Sequence, residues 1–77
     1  MNLFEKSFYE YLMTERGNST DHALARFAEA AFNDHSFPKQ SSSYEELSNY
    51  LELSANYLPS MTLFDEAWEK YQAQHKI

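Results

Sequence analysis

No cysteine occurs among the 77 residues, so neither a disulfide framework nor a thiolate metal site is available to this chain. Glycine is almost absent too. The single one, Gly17, leaves no material for a glycine-rich phosphate cradle. One glycine and two prolines suit a compact helical chain and argue against a β-rich or disordered one. Positive charge is scarce, with six Lys plus Arg against twelve Asp plus Glu and a formal net charge of −6. Such a surface repels phosphate, which disfavours general binding to nucleic acid or to an anionic membrane. No apolar run approaches the length of a signal-peptide core or a membrane span, and with the missing cysteines this leads us to expect a cytoplasmic protein.

What the chain has instead is rings. One Trp, six Tyr and six Phe make up 17% of it. A single domain covering residues 1–77, near the lower size limit for folding without a staple, must bury most of these rings to offset its ordering cost. Four helices are predicted. Ser7-Phe8-Tyr9-Glu10 reads as a capping box that opens a helix from about Phe8 to Arg16, with Gly17 placed to end it. Phe8, Leu12 and Tyr11 can share one face, which leaves Tyr9 and Met13 in need of cover from the Leu3-Phe4 lead, another helix or a partner. The second helix runs from Asp21 or His22 to Asn33, with Leu24, Phe27, Ala28, Ala31 and Phe32 on one side and Arg26 and Glu29 on the wet side. The third, Tyr44 to Leu53, follows a box at Ser43–Glu46 (or Ser42 with Glu45) and buries Tyr44, Leu47, Tyr50 and Leu51. Tyr57 and Leu58 close the bottom of the core. The fourth opens at Thr62–Asp65 and runs to about Gln74, with Leu63, Phe64, Ala67, Trp68 and Tyr71 as its stripe and Glu66–Lys70 as an i,i+4 pair. The expected core is Phe8, Leu12, Leu24, Phe27, Ala31, Phe37, Leu47, Leu51, Phe64, Trp68 and Tyr71.

The run Asp34-His35-Ser36-Phe37-Pro38-Lys39 joins the second and third helices. Pro38 lacks an amide donor and biases Phe37 toward extended angles, so the helix before it must stop. Phe37 is then placed to dive under the turn and pin its flanking helices. The same run, through Asp34, His35 and Lys39, can also be read as a recognition surface.

Together Ser7-Phe8-Tyr9 with Tyr11-Leu12, Phe27-Ala28, Asp34 to Lys39, Tyr50-Leu51-Glu52 and Phe64-Asp65-Glu66-Ala67-Trp68 resemble the YozE family, small uncharacterised bacterial proteins with a SAM-like (sterile alpha motif-like) fold. The resemblance runs from about Ser7 to Tyr71. It implies an all-α, compact bundle of four to five short helices and implies no activity. The Met1–Lys6 lead looks longer than usual for the family.

Catalytic chemistry has little material. Asp34-His35-Ser36 contains the residue types of a hydrolytic triad, but adjacent residues cannot adopt the required geometry. His22, His35 and His75 form no i,i+4 pair and have no cysteine partner, so no metal and no cofactor is expected. The expected function is that of a non-catalytic protein-interaction module, with Asp34, His35, Lys39, Tyr9 and Tyr57 as candidate partner-binding residues. The alternative is a nucleic-acid-binding domain whose local basic patch combines Arg16, Arg26 and Lys39 with Lys6. Clustering of those cations free of carboxylates would favour the second, and a contiguous exposed apolar patch the first.

Overall fold

The computed structural model describes residues 6–54 and 56–74, and these form four helices: α1 (Phe8–Met13), α2 (His22–Asn33), α3 (Tyr44–Leu53) and α4 (Met61–Gln74). No strand occurs among the described residues. The Leu3-Phe4 lead and His75 lie outside them.

Each of the first three helices starts where a polar side chain can satisfy its open amides. Ser7 Oγ accepts from the Glu10 amide while Glu10 Oε1 accepts from the Ser7 amide, which completes the capping box. Asp21 accepts from the Leu24 amide at 3.0 Å. Ser43 accepts from the Glu46 amide, but the reciprocal glutamate bond is made only at Ser7. Ser42 is not the cap; its hydroxyl lies 3.2 Å from that of Tyr71.

Helix α1 ends three residues before the expected Arg16. Its chain continues as i→i+3 turns through Thr14, Glu15 and Arg16, with Thr14 Oγ1 donating to the Tyr11 carbonyl. Gly17 closes that stretch at φ +107°, an angle that side chains bearing a Cβ resist.

The centre of the molecule is Phe8, fully buried and ringed by Tyr11, Phe27, Phe64, Trp68 and Tyr71 at centroid distances of 5.4–6.3 Å. Leu12, Leu24, Ala28, Ala31, Leu47, Leu51 and Ala67 fill the space around these rings. Trp68 of the expected core, and Tyr44 and Phe32 of the expected inward faces, lie further out. Trp68 is only partly buried, at the rim, where Tyr44 meets it edge-on at 5.5 Å. Tyr44 itself stays exposed because its hydroxyl reaches Asp65 at 2.7 Å and its ring stacks on Phe64 from outside. Phe32 remains 45% exposed, one face covered by the Arg16 guanidinium 3.7 Å from its ring centre. The expected Glu66–Lys70 pair is replaced by a contact between helices, Lys70 Nζ to Asp21 Oδ2 at 3.3 Å.

Backbone packing brings α4 close to each of the other three helices, and α1 close to α2, whereas α3 approaches only α4. The join between α3 and the first two helices is made by side chains, Leu47 and Leu51 of α3 in the shared core and residues of the segment that links α2 to α3.

Candidate functional site

That segment begins at Asp34, where α2 stops and the backbone turns extended. Asp34 Oδ2 accepts from two tyrosine hydroxyls, Tyr50 at 2.5 Å and Tyr57 at 2.8 Å, and Oδ1 accepts from the Ser36 amide. One carboxylate thus ties the end of α2 to α3 and to the segment leading into α4. Burial pushes the Asp34 carboxyl up, but the hydrogen bonds from Tyr50, Tyr57 and Ser36 and the neighbouring His35 outweigh it and hold the pKa below the usual value. The effect on the tyrosines is opposite in sign. Burial, then the hydrogen bond to Asp34, pushes Tyr50 up to about 12 and raises Tyr57 as well.

Phe37 follows and is 3% exposed, its ring 5.5 Å from Tyr9 of α1 and 5.8 Å from Tyr50 of α3. The cover that Tyr9 lacked on its own helix is therefore this ring. Next, the Lys39 carbonyl accepts from Ser7 Oγ at 2.6 Å, and the Ser41 carbonyl accepts from the Phe8 amide. Tyr71 donates to the Lys6 carbonyl and lies within 3.2 Å of Ser42 Oγ. These bonds clamp the 39–42 stretch against the entry to α1.

Between the two clamped strands of chain lies a groove of about 540 Å³, lined by Lys6, Ser7, Tyr9, Glu10, Lys39, Gln40 and Ser42. Lys39 Nζ sits 5.5 Å from the centre of the Tyr9 ring, a cation–π contact that leaves the ammonium at the mouth. Neither Lys6 nor Lys39 has an ion-pair partner among the described residues, and Glu10 is engaged in the capping box.

The candidate residues thus fall in three places. Tyr9 and Lys39 share the groove; Asp34 and Tyr57 are joined to each other as scaffold; His35 is exposed in the turn between them. Of the four cations proposed as a patch, Lys6 and Lys39 come together, but Arg16 is paired with Glu29 at 3.1 Å and Arg26 lines a different cavity. Sequence reasoning missed Tyr50 as Asp34's partner, and it missed Gln40 and Ser42 as groove walls. Neither relation leaves a local signal, since both depend on how separate helices dock.

Among the described residues no hydrogen bond links His35 to the side chains of Asp34 or Ser36, and no group of three His, Cys, Asp or Glu could hold a metal ion. No helix among the described residues is long and apolar enough to cross a membrane.

Fold and site define a small all-helical bundle that offers a polar groove beside a rigid aromatic elbow. The chain belongs to the family described as having a YozE SAM-like fold, whose model matches residues 7–73. It is 58% identical over 69 residues to a UPF0346 protein of Bacillus velezensis, a match covering 90% of this chain and 93% of that one. A UPF0346 protein of Lactiplantibacillus plantarum is 57% identical, with 88% and 93% covered, and one of Ligilactobacillus salivarius is 55% identical, with 87% and 89% covered. No solved structure gives a significant match.

Proposed function

We propose that this chain is a non-catalytic, cytoplasmic interaction module that holds a segment of another protein in the groove between Lys6 and Lys39. One observation carries the reading: two cations with no ion-pair partner among the described residues share a concavity on a chain whose net charge is −6. Such a site suits an acidic segment, with the Tyr9 ring as a contact for its apolar part and Gln40 and Ser42 as hydrogen-bonding walls. Its geometry is held by backbone bonds on both sides, so little ordering cost would fall on binding. The nucleic-acid reading loses support from the same placement, because two lysines beside a carboxylate neutralise few phosphates and Arg16 and Arg26 lie elsewhere.

The test is capture of partners from lysate by the wild type and by a Lys6→Glu, Lys39→Glu variant, with His35→Ala and Glu52→Gln as controls outside the groove. A partner that the controls retain, that the charge reversal loses and that elutes with added salt supports the proposal. Identical partner sets for all four proteins reject it.

A further inference from the structure

A second concavity, of about 260 Å³, lies where α2 faces the residues before α4, and its chemistry is opposite to that of the groove. Its walls are Ala23, Arg26, Phe27, Tyr57, Pro59 and Leu63. Four of these carry no polar side-chain atom. Tyr57 presents its ring, because its hydroxyl is held by Asp34 at 2.8 Å, and the Phe27 ring lies 6.5 Å from it. Arg26 is therefore the one charged lining group, and it has no ion-pair partner among the described residues.

We propose that this cavity binds a small aromatic monocarboxylate, its ring laid against Tyr57, Pro59 and Leu63 and its carboxylate on the Arg26 guanidinium. Size and wall chemistry both narrow the choice. An apolar cavity of about 150 Å³ accommodates benzene, so the volume here has room for a ring and a short acid chain. A sugar or nucleotide would leave its hydroxyls and amides facing hydrocarbon without partners, which is costly. The planar guanidinium fork matches a carboxylate through two parallel charge-assisted hydrogen bonds, which a neutral ligand cannot offer. None of this depends on the Lys6–Lys39 groove.

The experiment is a titration of the full chain with 3-phenylpropanoate, followed by NMR shifts of Phe27, Tyr57 and Leu63, beside 3-phenylpropan-1-ol and propanoate. The acid should saturate in roughly the millimolar range, and each comparator, lacking either charge or ring, should bind about tenfold or more weakly. Arg26 is exposed, so Arg26→Gln should melt like the wild type while reducing the acid to the level of the alcohol. Ala23→Leu, which narrows the mouth, should weaken acid and alcohol alike. The proposal is overturned by shifts that fail to saturate, by equal binding of acid and alcohol, by an unchanged affinity in Arg26→Gln, or by shifts that map to Lys6 and Lys39.

Discussion

Two aromatic clusters hold this bundle together, and they work by different physics. Around Phe8 the contacts are ring on ring, between residues of α1, α2 and α4, with no charge among them. Around Asp34 the rings of Phe37, Tyr50 and Tyr57 gather at a carboxylate that receives two phenolic hydrogens. The first cluster is non-directional and gains its strength from area removed from water. The second also buries Phe37, and it adds hydrogen bonds, which have direction and tie α3 and the 56–60 segment to the end of α2. The comparison teaches that α3, whose backbone comes close only to that of α4, is held toward α1 and α2 both by its buried Leu47 and Leu51 and by one short linking segment.

The largest expected effects come from the fully buried ring of each cluster, set against the rim. Phe8→Ala should cost about 3–5 kcal/mol, enough to unfold most of a domain this small, and Phe37→Ala should fall in the same range because that ring is as fully enclosed. Trp68→Ala, at the rim, should cost about half as much. Thermal melting orders the three, and a Trp68 variant as damaged as Phe8→Ala would show that the rim is part of the centre.

A smaller effect distinguishes the clusters by pH. Asp34→Asn should lose about 1–2 kcal/mol near neutral pH, since an amide oxygen accepts the tyrosine hydrogens more weakly than a carboxylate. The folded pKa of Asp34 lies below its unfolded value near 3.9, so its contribution is present in full above that value and fades as pH falls through the folded one. The gap between wild type and Asp34→Asn should therefore close on acidification below about pH 4. Denaturant midpoints at pH 7 and in strong acid would read this directly; a constant gap would remove the charge from the account.

The smallest effect lies at the alkaline end. Tyr50, pushed up to about 12 in the fold against about 10 unfolded, contributes stability that is complete below pH 10 and is lost as pH rises through about 12. Tyr50→Phe keeps the ring against Phe37 and removes that dependence, so its midpoint should fall less steeply than the wild type's between pH 10 and 12. Equal slopes would place the titration elsewhere.

Much of this architecture was legible from residues alone, because helix starts and stops are written locally. Ser7, Asp21 and Ser43 each act on amides within a few positions and cap where the spacing placed them, whereas Gly17 takes its positive φ beyond the turns that follow α1 and not at the helix cap. The burial of Phe37 was legible for the same reason, since Pro38 acts on its immediate neighbour. Asp34 was read as a surface candidate because its partners stand 16 and 23 residues away, beyond any local pattern. Tyr44 and Phe32 were assigned to the core from helical spacing, which counts faces but not how far a neighbouring helix extends. Lys70 likewise had an apparent partner one turn away in Glu66, and docking of α4 beside the start of α2 offered it Asp21 instead.

Composition, caps and the proline-bearing run determined that this is an all-helical, cysteine-free, acidic bundle with Phe37 inside it, since those features act through local sterics and amide satisfaction. Only the folded arrangement decided that Asp34 accepts from Tyr50 and Tyr57, that Lys6 and Lys39 share a groove, and that Arg26 lines a cavity with Phe27, Tyr57 and Leu63. Those relations are distances between side chains far apart along the chain, and such distances come into being only when helices pack.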